Sequence, residues 1–243
     1  MWQHLTRTYF NTVYNPLYDL TTARLSRYVA AQKGLAESLG VEGRNRVLCV
    51  GLGTGNELTS LRARAPELDI VGIDVSPAAL TRARSKPAGD GQGTAFALMD
   101  AQQLAFRGAS FDRLLCYHVT DFLPDPATAT AEMLRVLRPG GRFVISFPSG
   151  EEGFGLGVGL ARQGLTGGAE TKRGARVRRA GAFILAALVY TPLLLRPRPR
   201  AYSPGELDEL LLPLGARKCR VENDPVYRDH VVSGIKTQGG EFD

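Results

Sequence analysis

Residues 47–56, Val-Leu-Cys-Val-Gly-Leu-Gly-Thr-Gly-Asn, decide the fold of this chain. The apolar first half is typical of a strand that is buried on both faces of a sheet. Leu58, Leu61 and Ala65 then recur at helical spacing. We therefore predict a strand, a tight glycine turn and a helix. Glycines in the turn let a ligand approach the backbone, and the helix start offers free N–H groups and the positive end of its dipole.

The spacing of the glycines narrows the choice of ligand. Gly51, Gly53 and Gly55 follow a G-x-G-x-G pattern, not the G-x-G-x-x-G pattern that is typical of dinucleotide binding. A second apolar strand, residues 70–73, ends at Asp74, nineteen positions beyond Gly55. An acidic residue at that distance can accept hydrogen bonds from both ribose hydroxyls. A plain strand-to-helix turn is the alternative, but a nucleoside without a pyrophosphate fits the pattern, and S-adenosylmethionine (SAM) is the obvious candidate.

The same alternation of strands and helices continues downstream. Residues 94–98 predict a third strand, residues 111–117 a fourth, and residues 126–137 a helix. The sequence Leu-x-Pro-Gly-Gly at residues 137–141 ends that helix and turns the chain into a fifth strand, which extends to Ser146. Strands that alternate with helices indicate a mostly parallel sheet with helices on both faces.

In these elements, their order and their spacing, residues 10–148 resemble the class I SAM-dependent methyltransferases. The pattern is closest to the quinone-biosynthesis and lipid methyltransferases (type 11), and the glycine loop and the L-x-P-G-G turn are its most specific features. The resemblance implies an α/β fold with a Rossmann-like, doubly wound, seven-stranded sheet, mostly parallel with one antiparallel strand. N-terminal helices and an inserted lid would complete it. The closing strand pair is expected over residues 215–221 and 226–235, after a helix that Ser203 caps.

The resemblance also implies the residues of a SAM site. Asp100 would accept a hydrogen bond from the adenine amino group, and the backbone N–H of Ala101 would meet a ring nitrogen. A plain loop aspartate is the alternative at position 100. The expected cofactor-binding residues are Gly51, Leu52, Gly53, Thr54, Gly55, Asp74, Val75, Asp100, Ala101, Tyr117, His118 and Tyr18.

Four further positions bear on the methionine end of SAM. Tyr18 belongs to a Tyr-Asp segment similar to the one that precedes the core in these methyltransferases, where the tyrosine closes over the methionine portion. Tyr14 is a second candidate, and aromatic packing of a capping helix is the alternative. Cys49 stands where the family usually has an acidic residue that helps to hold the methionine amino group. Glu57, in the first turn of the following helix, is a candidate to compensate.

The chemistry of methyl transfer makes small demands on catalytic side chains. Transfer from a sulfonium is an in-line displacement from an activated donor, so the protein mainly aligns the reactants. A general base is needed only where the acceptor must lose a proton. His118 is the one histidine expected at the carboxyl edge of the sheet, and its ordinary pKa suits that task. A hydrogen-bonded histidine packed beside the cofactor is the alternative. Tyr117 and Asp121 are weaker catalytic candidates, and no metal site is expected.

The positive charge of the chain is concentrated in one segment. The net charge is +6, but residues 171–200 hold eight lysines and arginines and no acid, so the remainder carries −2. The basic pI therefore does not predict a nucleic-acid partner. The Asn-Pro-Pro-Tyr type of tetrapeptide that base-methylating enzymes carry is also absent after the fourth strand. Three separated cysteines without a C-x-x-C motif, and no visible secretory signal, predict a reduced, cytoplasmic protein.

Residues 180–195 are apolar on every side. A helix of that length spans about 24 Å, short of the roughly 30 Å hydrocarbon core of a bilayer, and Pro192 interrupts it. We therefore expect a lid over the active site and not a transmembrane span. The basic flanks at residues 176–179 and 196–200 suit an interfacial membrane segment equally well, so a peripheral membrane contact through residues 176–200 stays open.

These patterns divide the chain into four parts: an N-terminal helical cap over residues 1–40, a SAM-binding core over 41–148, an inserted lid or substrate segment over 149–200, and a C-terminal helix with the closing strand pair over 201–243. The predicted function is transfer of a methyl group from SAM to a lipophilic small molecule such as a quinone precursor, a lipid headgroup or a natural product. The alternatives are a peripheral membrane- or nucleic-acid-binding module, and a SAM-binding protein without transfer activity.

Overall fold

The structure is a computed structural model. It describes residues 26–89, 93–150, 200–224 and 229–237, together with Thr8, Tyr9, Thr12 and Asp19. The strands are β1 (Arg46–Val50), β2 (Asp69–Asp74), β3 (Thr94–Leu98), β4 (Phe111–Cys116), β5 (Leu137–Phe147), β6 (Ala216–Asn223) and β7 (His230–Lys236). The helices are α1 (Ser26–Leu39), α2 (Asn56–Arg64), α3 (Pro77–Ser85), α4 (Pro126–Val136) and α5 (Pro204–Leu211), with 3₁₀ turns at Thr120–Phe122 and Leu212–Leu214.

All seven strands form one sheet in the order β3-β2-β1-β4-β5-β7-β6. Strands β1 to β5 run parallel to one another, and β7 is antiparallel to both of its neighbours. The predicted doubly wound, seven-stranded sheet with one antiparallel strand is therefore confirmed. The chain reverses its winding direction between β1 and β4, and ligands of open α/β sheets bind outside the carboxyl ends of the strands at such a switch point.

The sheet is buried on both faces, which explains the unbroken apolar sequence of its central strands. Alternate residues of β1 enter two separate cores, so that Leu48 and Val50 pack on one face and Val47 and Cys49 on the other. Helices α1 and α2 pack together on the second face. The fully buried residues of the first core include Leu48, Phe111, Leu114, Phe143 and Phe147, and those of the second include Leu39, Leu58, Leu61, Ile70 and Leu115.

Several helix ends follow directly from local sequence. Ser76 caps α3 by accepting a hydrogen bond from the backbone N–H of Ala79 at 3.1 Å, and Pro77 occupies the first turn, where its missing N–H costs nothing. Helix α5 begins with a complete capping box between Ser203 and Glu206. The predicted start at Ser203 is confirmed.

The Pro-Gly-Gly segment differs in form from its prediction. It was expected as a turn before the fifth strand, but β5 already begins at Leu137, which pairs with Phe111. The next paired positions are Arg113 and Arg142, so residues 138–141 form a bulge inside the strand. Gly140 has a positive φ of 79° there. The segment therefore still redirects the chain, but from within the sheet.

Two predicted regions lie largely outside the described residues. Tyr14 and Tyr18 of the N-terminal cap belong to them, as do residues 151–199 of the expected lid. Among the residues that the structure describes, no helix has the length and apolar character that crossing a bilayer requires. Strands β6 and β7 belong to the same sheet as the core strands.

Candidate active site

The glycine loop lies at the carboxyl end of β1, as predicted, and two of its glycines are needed for different reasons. Gly51 has a φ of 63°, and a Cβ there would come within 2.2 Å of a Val119 methyl group. Its backbone must therefore pass where a side chain has no room. The loop is fixed to the neighbouring strand, because the N–H of Leu52 donates to the carbonyl of Ile73 at 2.9 Å.

Gly53 differs, because none of the described residues comes close to the position of a Cβ there. Its φ is 58°, and the nearest atom to a Cβ built there would be the Gly51 carbonyl oxygen at 3.9 Å. Its N–H donates to Asp74 Oδ2 at 2.8 Å, which ties the middle of the loop to the end of β2. The missing side chain leaves a cradle over the backbone, and a ligand portion of moderate size can approach there.

Asp74 holds the loop while keeping acceptor capacity. Its two oxygens accept hydrogen bonds from the N–H groups of Gly53 and Ser76, both at 2.8 Å. A carboxylate has about four lone-pair sites. The backbone N–H of Val75 also contributes a hydrogen bond, and the remaining capacity can accept from the ribose. Burial raises the pKa of Asp74 above its ordinary value, although the backbone N–H groups of Ser76, Gly53 and Val75 oppose the shift. The adjacent Val75 is 46% exposed, so an apolar surface is present there on which a ring can pack.

Asp100 and Ala101 follow β3 at the same edge of the sheet. Asp100 is exposed, and its Oδ1 accepts a hydrogen bond from the backbone N–H of Gln102 at 2.9 Å. Ala101 is buried in the first core. The N–H of Met99 donates to the carbonyl of Asp74 at 3.1 Å, so the loops after β2 and β3 are joined directly. The structure thus brings the expected adenine residues next to the expected ribose residue.

Thr54 has a structural role that its sequence position did not indicate. The residue is buried, and its hydroxyl donates to Asp19 at 2.6 Å. Lys86 Nζ completes the cluster, donating to Asp19 at 3.0 Å, to Thr54 at 3.2 Å and to Asn56 Oδ1 at 2.6 Å. The glycine loop is therefore fastened by polar side chains from three parts of the chain.

Cys49 precedes the glycine loop in β1, and Glu57 follows it in the first turn of α2. Cys49 is fully buried, and burial, followed by the charge of Glu57, raises the pKa of its thiol. Glu57 itself has its pKa raised to about 7 by burial, with a smaller increase from Asp74, while a backbone hydrogen bond and the charge of Lys86 act in the opposite direction. An acidic group thus does stand close to Cys49, the position where the family usually has one.

A second polar group gathers at the carboxyl end of β4. His118 has a positive φ of 56°, and its backbone N–H donates to Ser146 Oγ at 2.7 Å. Its Nδ1 lies 2.7 Å from Asp229 Oδ2, and its Nε2 lies 3.9 Å from Asp224 Oδ2. The Tyr117 hydroxyl donates to the same Asp224 oxygen. The rings of Tyr117 and His118 lie in contact, with centroids 3.8 Å apart and their planes inclined by 53°.

The charges around His118 determine its protonation. Burial by itself would lower the pKa of the imidazole. The hydrogen bond and charge of Asp229, with the charges of Asp224 and Asp121, outweigh that effect and raise the pKa above its ordinary value. Asp121 lies in the 3₁₀ turn that follows β4 and contributes only its charge to this balance. The imidazolium form is therefore favoured further toward neutral pH than in a free histidine.

Asp224 and Asp229 were missed in the sequence. They lie where β6 ends and where β7 begins, and the N–H of Asp224 donates to the carbonyl of Asp229 at 2.8 Å. The predicted strands, residues 215–221 and 226–235, left Asp224 between them and Asp229 inside the second one, so nothing in the sequence marked the two acids as a pair. The second strand begins later than predicted, at His230, and only the pairing of β5 with β7 brings both acids to β4. In the described ranges, no cluster of three or more His, Cys, Asp or Glu side chains is placed to share a metal ion.

Comparison with known proteins agrees with this arrangement. Residues 48–145 match the family model for a methyltransferase domain. A demethylmenaquinone methyltransferase of Deinococcus radiodurans is 39% identical over 141 residues, which are 55% of this chain and 56% of that protein. A phosphatidylethanolamine N-methyltransferase of Cereibacter sphaeroides is 34% identical over 131 residues, 53% of this chain and 62% of that protein. The matched stretches thus span a little over half of these relatives.

The fold extends the likeness beyond the matched stretch. A SAM-bound magnesium protoporphyrin IX methyltransferase from Synechocystis has a TM-score of 0.62 with this chain, covers 97% of both chains and is 14% identical. A likeness at that identity concerns the fold alone, and it includes the closing β6–β7 pair. The match of residues 48–145 to a methyltransferase domain and the order of the strands in the sheet both agree with the resemblance that the sequence indicated.

Proposed function

We propose that the chain is a methyltransferase that transfers the methyl group of SAM to a lipophilic small molecule. The observation that carries this proposal is the cradle at Gly53, whose N–H is held by Asp74 while the space above it stays open. It stands at the switch point between β1 and β4, where this family of folds receives its ligand.

The residues present fit SAM in three ways. The Gly51–Gly55 loop would pass close to the ligand, with Leu52 and Thr54 holding it in place from behind. Asp74 would accept from the ribose hydroxyls with its remaining acceptor capacity. Asp100 and the N–H of Ala101 would meet the adenine, and Val75 would pack against its ring. When bound, SAM supplies a methyl group that is already activated as a sulfonium.

On the acceptor side, His118 is the residue that we propose for proton transfer, with Tyr117 and Asp121 beside it. Its position at the carboxyl end of β4 and its partners Asp229 and Asp224 support that role. The alternative, a histidine that packs against the cofactor, predicts a different result. If His118 is a base, His118→Ala lowers the rate by about 10²–10⁴-fold while SAM affinity stays nearly intact. A parallel loss of SAM affinity would assign it to cofactor packing.

We propose an acceptor of the quinone-precursor, lipid-headgroup or natural-product type. The relatives support a small, lipophilic acceptor: one is a demethylmenaquinone methyltransferase, one a phosphatidylethanolamine N-methyltransferase, and a fold neighbour a magnesium protoporphyrin IX methyltransferase.

The experiment that tests the function is calorimetric titration with SAM and with its demethylated product, followed by an acceptor screen. We expect saturable binding of both compounds and turnover of at least one member of the acceptor classes above. Failure of both compounds to bind at any concentration up to the millimolar range would overturn the proposal. Binding without turnover of any acceptor would instead support a SAM-binding protein without transfer activity.

We further propose that residues 149–200 cover the acceptor side of the site, and that the protein works in the cytoplasm without spanning a membrane. Their apolar centre is too short and too interrupted for a span, and too apolar to stay exposed to water. Deleting residues 176–200 should leave SAM binding measurable and abolish turnover, and the full chain should stay in the supernatant without detergent. If the full chain sediments with anionic vesicles, and the deletion releases it with turnover preserved, the segment is an interfacial anchor.

A further inference from the structure

The imidazole of His118 lies between two carboxylates that come from a distant part of the chain. Asp229 contacts Nδ1 at 2.7 Å, and Asp224 lies 3.9 Å from Nε2. The side chains are almost inaccessible to water, with 15% of His118, 7% of Asp229 and 1% of Asp224 exposed. Asp224 follows β6 and Asp229 precedes β7, while His118 lies two residues beyond the end of β4.

Stability alone does not account for this arrangement. Removing two carboxylates from water carries a desolvation penalty that their partners must offset. Apolar side chains at the same two positions would avoid this penalty. The positive φ of His118 adds strain to a residue that is not glycine. Strain and buried charge at the carboxyl edge of an α/β sheet are typical of a functional group that must be held in one orientation.

We propose that Asp229 and Asp224 are positioning residues that hold His118 for proton transfer from an acceptor hydroxyl at the carboxyl end of β4. The inference rests on the proposed methyltransferase function and narrows its acceptor class to molecules that lose an O–H proton on methylation. The Asp229 carboxylate accepts from Nδ1–H, which fixes one tautomer and places the lone pair of the neutral ring on Nε2.

The proton and the electrons balance in one step. The acceptor O–H bond breaks, its proton passes to Nε2, and its electron pair stays on the oxygen that receives the methyl group. The C–S bond of the donor breaks with its pair going to sulfur, so the positive charge of the sulfonium ends on the imidazolium. Asp224, 3.9 Å from Nε2, stabilises the N–H that forms, and the proton later leaves to water.

Four groups from four elements face this imidazole and set its titration. They are Asp229 before β7, Asp224 after β6, Asp121 in the 3₁₀ turn and Tyr117 at the end of β4. The three carboxylates favour the imidazolium. The ring must lose its proton before it can act as a base, so the rate should rise with pH up to the raised pKa of His118 and then level off.

The test is an NMR titration of the imidazole signals in the full chain, with and without SAM. The chain has only three histidines, so His118→Gln identifies the signal by its loss. In the wild type we expect the midpoint of His118 to lie above 6.5. Asp229→Asn should lower that midpoint by about one pH unit or more, because it removes the closest opposite charge. Asp224→Asn should lower it less, and Asp208→Asn, which removes an exposed aspartate elsewhere, should not change it.

The rate measurement then separates a positioning role from a purely structural one. With a hydroxyl acceptor from the screen, the acidic limb of kcat/KM should move to lower pH in Asp229→Asn by the same amount as the NMR midpoint. An unchanged midpoint in Asp229→Asn, or a pH profile that does not follow it, would overturn the inference. So would turnover of amine acceptors only, with no limb at the His118 midpoint.

Calorimetry with SAM distinguishes a failure of this inference from a failure of the proposed function. Loss of SAM binding in the wild type would refute the methyltransferase proposal whatever the histidine does. Normal SAM binding, together with a His118 titration midpoint that does not change in Asp229→Asn, would refute only the positioning role. If Asp229→Asn does not fold, the wild-type midpoint and Asp224→Asn decide, since a midpoint at or below 6.5 contradicts the proposed geometry.

Discussion

The carboxyl edge of the sheet holds two polar regions that are built in opposite ways. The loop side is made of the glycine loop and the ends of β2 and β3, and it relies mainly on backbone donors that the Asp74 carboxylate binds. Its main hydrogen bond, from Gly53 to Asp74, joins residues only 21 positions apart. The hairpin side consists of Tyr117, His118, Asp224 and Asp229. It relies on side-chain charges, and its hydrogen bonds join residues 107 and 111 positions apart.

The two sides differ in how strongly single substitutions can change them and in the step that each one controls. A site made from backbone N–H groups is fixed by the strand–turn–helix unit that carries it, so one fold can bind the same cofactor in many proteins. A site made from side chains of two remote elements can change by single substitutions. We expect the loop side to determine cofactor affinity, and the hairpin side to determine proton transfer and the acceptor.

The largest expected effect is the response of the loop side to a single methyl group. Gly51→Ala places a Cβ within 2.2 Å of Val119 at a positive φ, so it should lower the free energy of unfolding by about 2–4 kcal/mol. Urea denaturation measures the loss. Adding Val119→Ala should recover part of it, because the methyl groups that clash are removed.

Gly53→Ala is the matched control, because it adds the same methyl group at the next glycine of the loop, which also has a positive φ. Its Cβ meets no atom closer than 3.9 Å, so the stability loss should be only about 1 kcal/mol, from the left-handed backbone. The methyl group would instead occupy the proposed cofactor cradle, and SAM affinity should fall. Equal stability losses in the two variants would contradict the different roles assigned to the two glycines.

The second effect concerns affinity. Asp74→Ala removes the acceptor of the Gly53 N–H and of the ribose hydroxyls, so SAM binding should weaken by about 1.5–3 kcal/mol in calorimetry. Asp69→Ala changes an aspartate at the amino end of the same strand, paired with Arg46 at the surface, and should leave SAM affinity unchanged. Unaltered affinity in Asp74→Ala would remove the loop side from the cofactor site.

The contrast also explains which parts the sequence could predict. The glycine loop, Asp74 at the end of its strand and the Ser203 cap follow from patterns within a few dozen residues, where periodicity and turn chemistry suffice. The seven-stranded sheet was implied by the family resemblance. Nothing in the sequence around Asp224 and Asp229 indicates a role in the site. The antiparallel pairing of β7 with β5 brings both aspartates to His118. The position of Glu57 beside Cys49 was suspected from the missing family acid, but its raised pKa depends on burial that only the fold supplies.

On the hairpin side, Tyr117→Phe removes one hydroxyl and keeps the ring. Asp224 then loses a donor in a place where only 1% of its side chain is exposed, so the free energy of unfolding should fall by about 1–2 kcal/mol. SAM affinity should change little. A Tyr117→Phe/Asp224→Asn double-mutant cycle gives the coupling, and a coupling of zero would show that the hydrogen bond does not stabilise the protein.

A smaller effect, confined to one pH range, is expected at Glu57. Its folded pKa of about 7 lies above the ordinary value of 4.5 because burial disfavours the charged form. The native state therefore binds the proton more tightly, and the associated stability is complete below about pH 4.5 and is lost as pH rises through 7. Glu57→Gln should be more stable than the wild type at pH 8, with a smaller advantage at pH 6 and none from this source at pH 4. Glu37→Gln, at an exposed position, should show no such trend in thermal melts.

The smallest effect should come from Lys86, which shows that the loop side is not wholly local. Its ammonium joins Asn56 and Thr54 of the loop to Asp19, 67 positions away, through an ion pair whose side chains are 24% and 28% exposed. Partial exposure limits such a pair, so Lys86→Met should cost about 1 kcal/mol or less. Asp19→Asn should cost a similar amount, and the double variant less than the sum, because both remove the same contact. Hydrogen exchange of the Gly53 and Thr54 amides measures the consequence for the loop. Faster exchange in both single variants would mean that a remote carboxylate holds the cofactor loop closed, and unchanged exchange would leave the loop side dependent on its own backbone bonds alone.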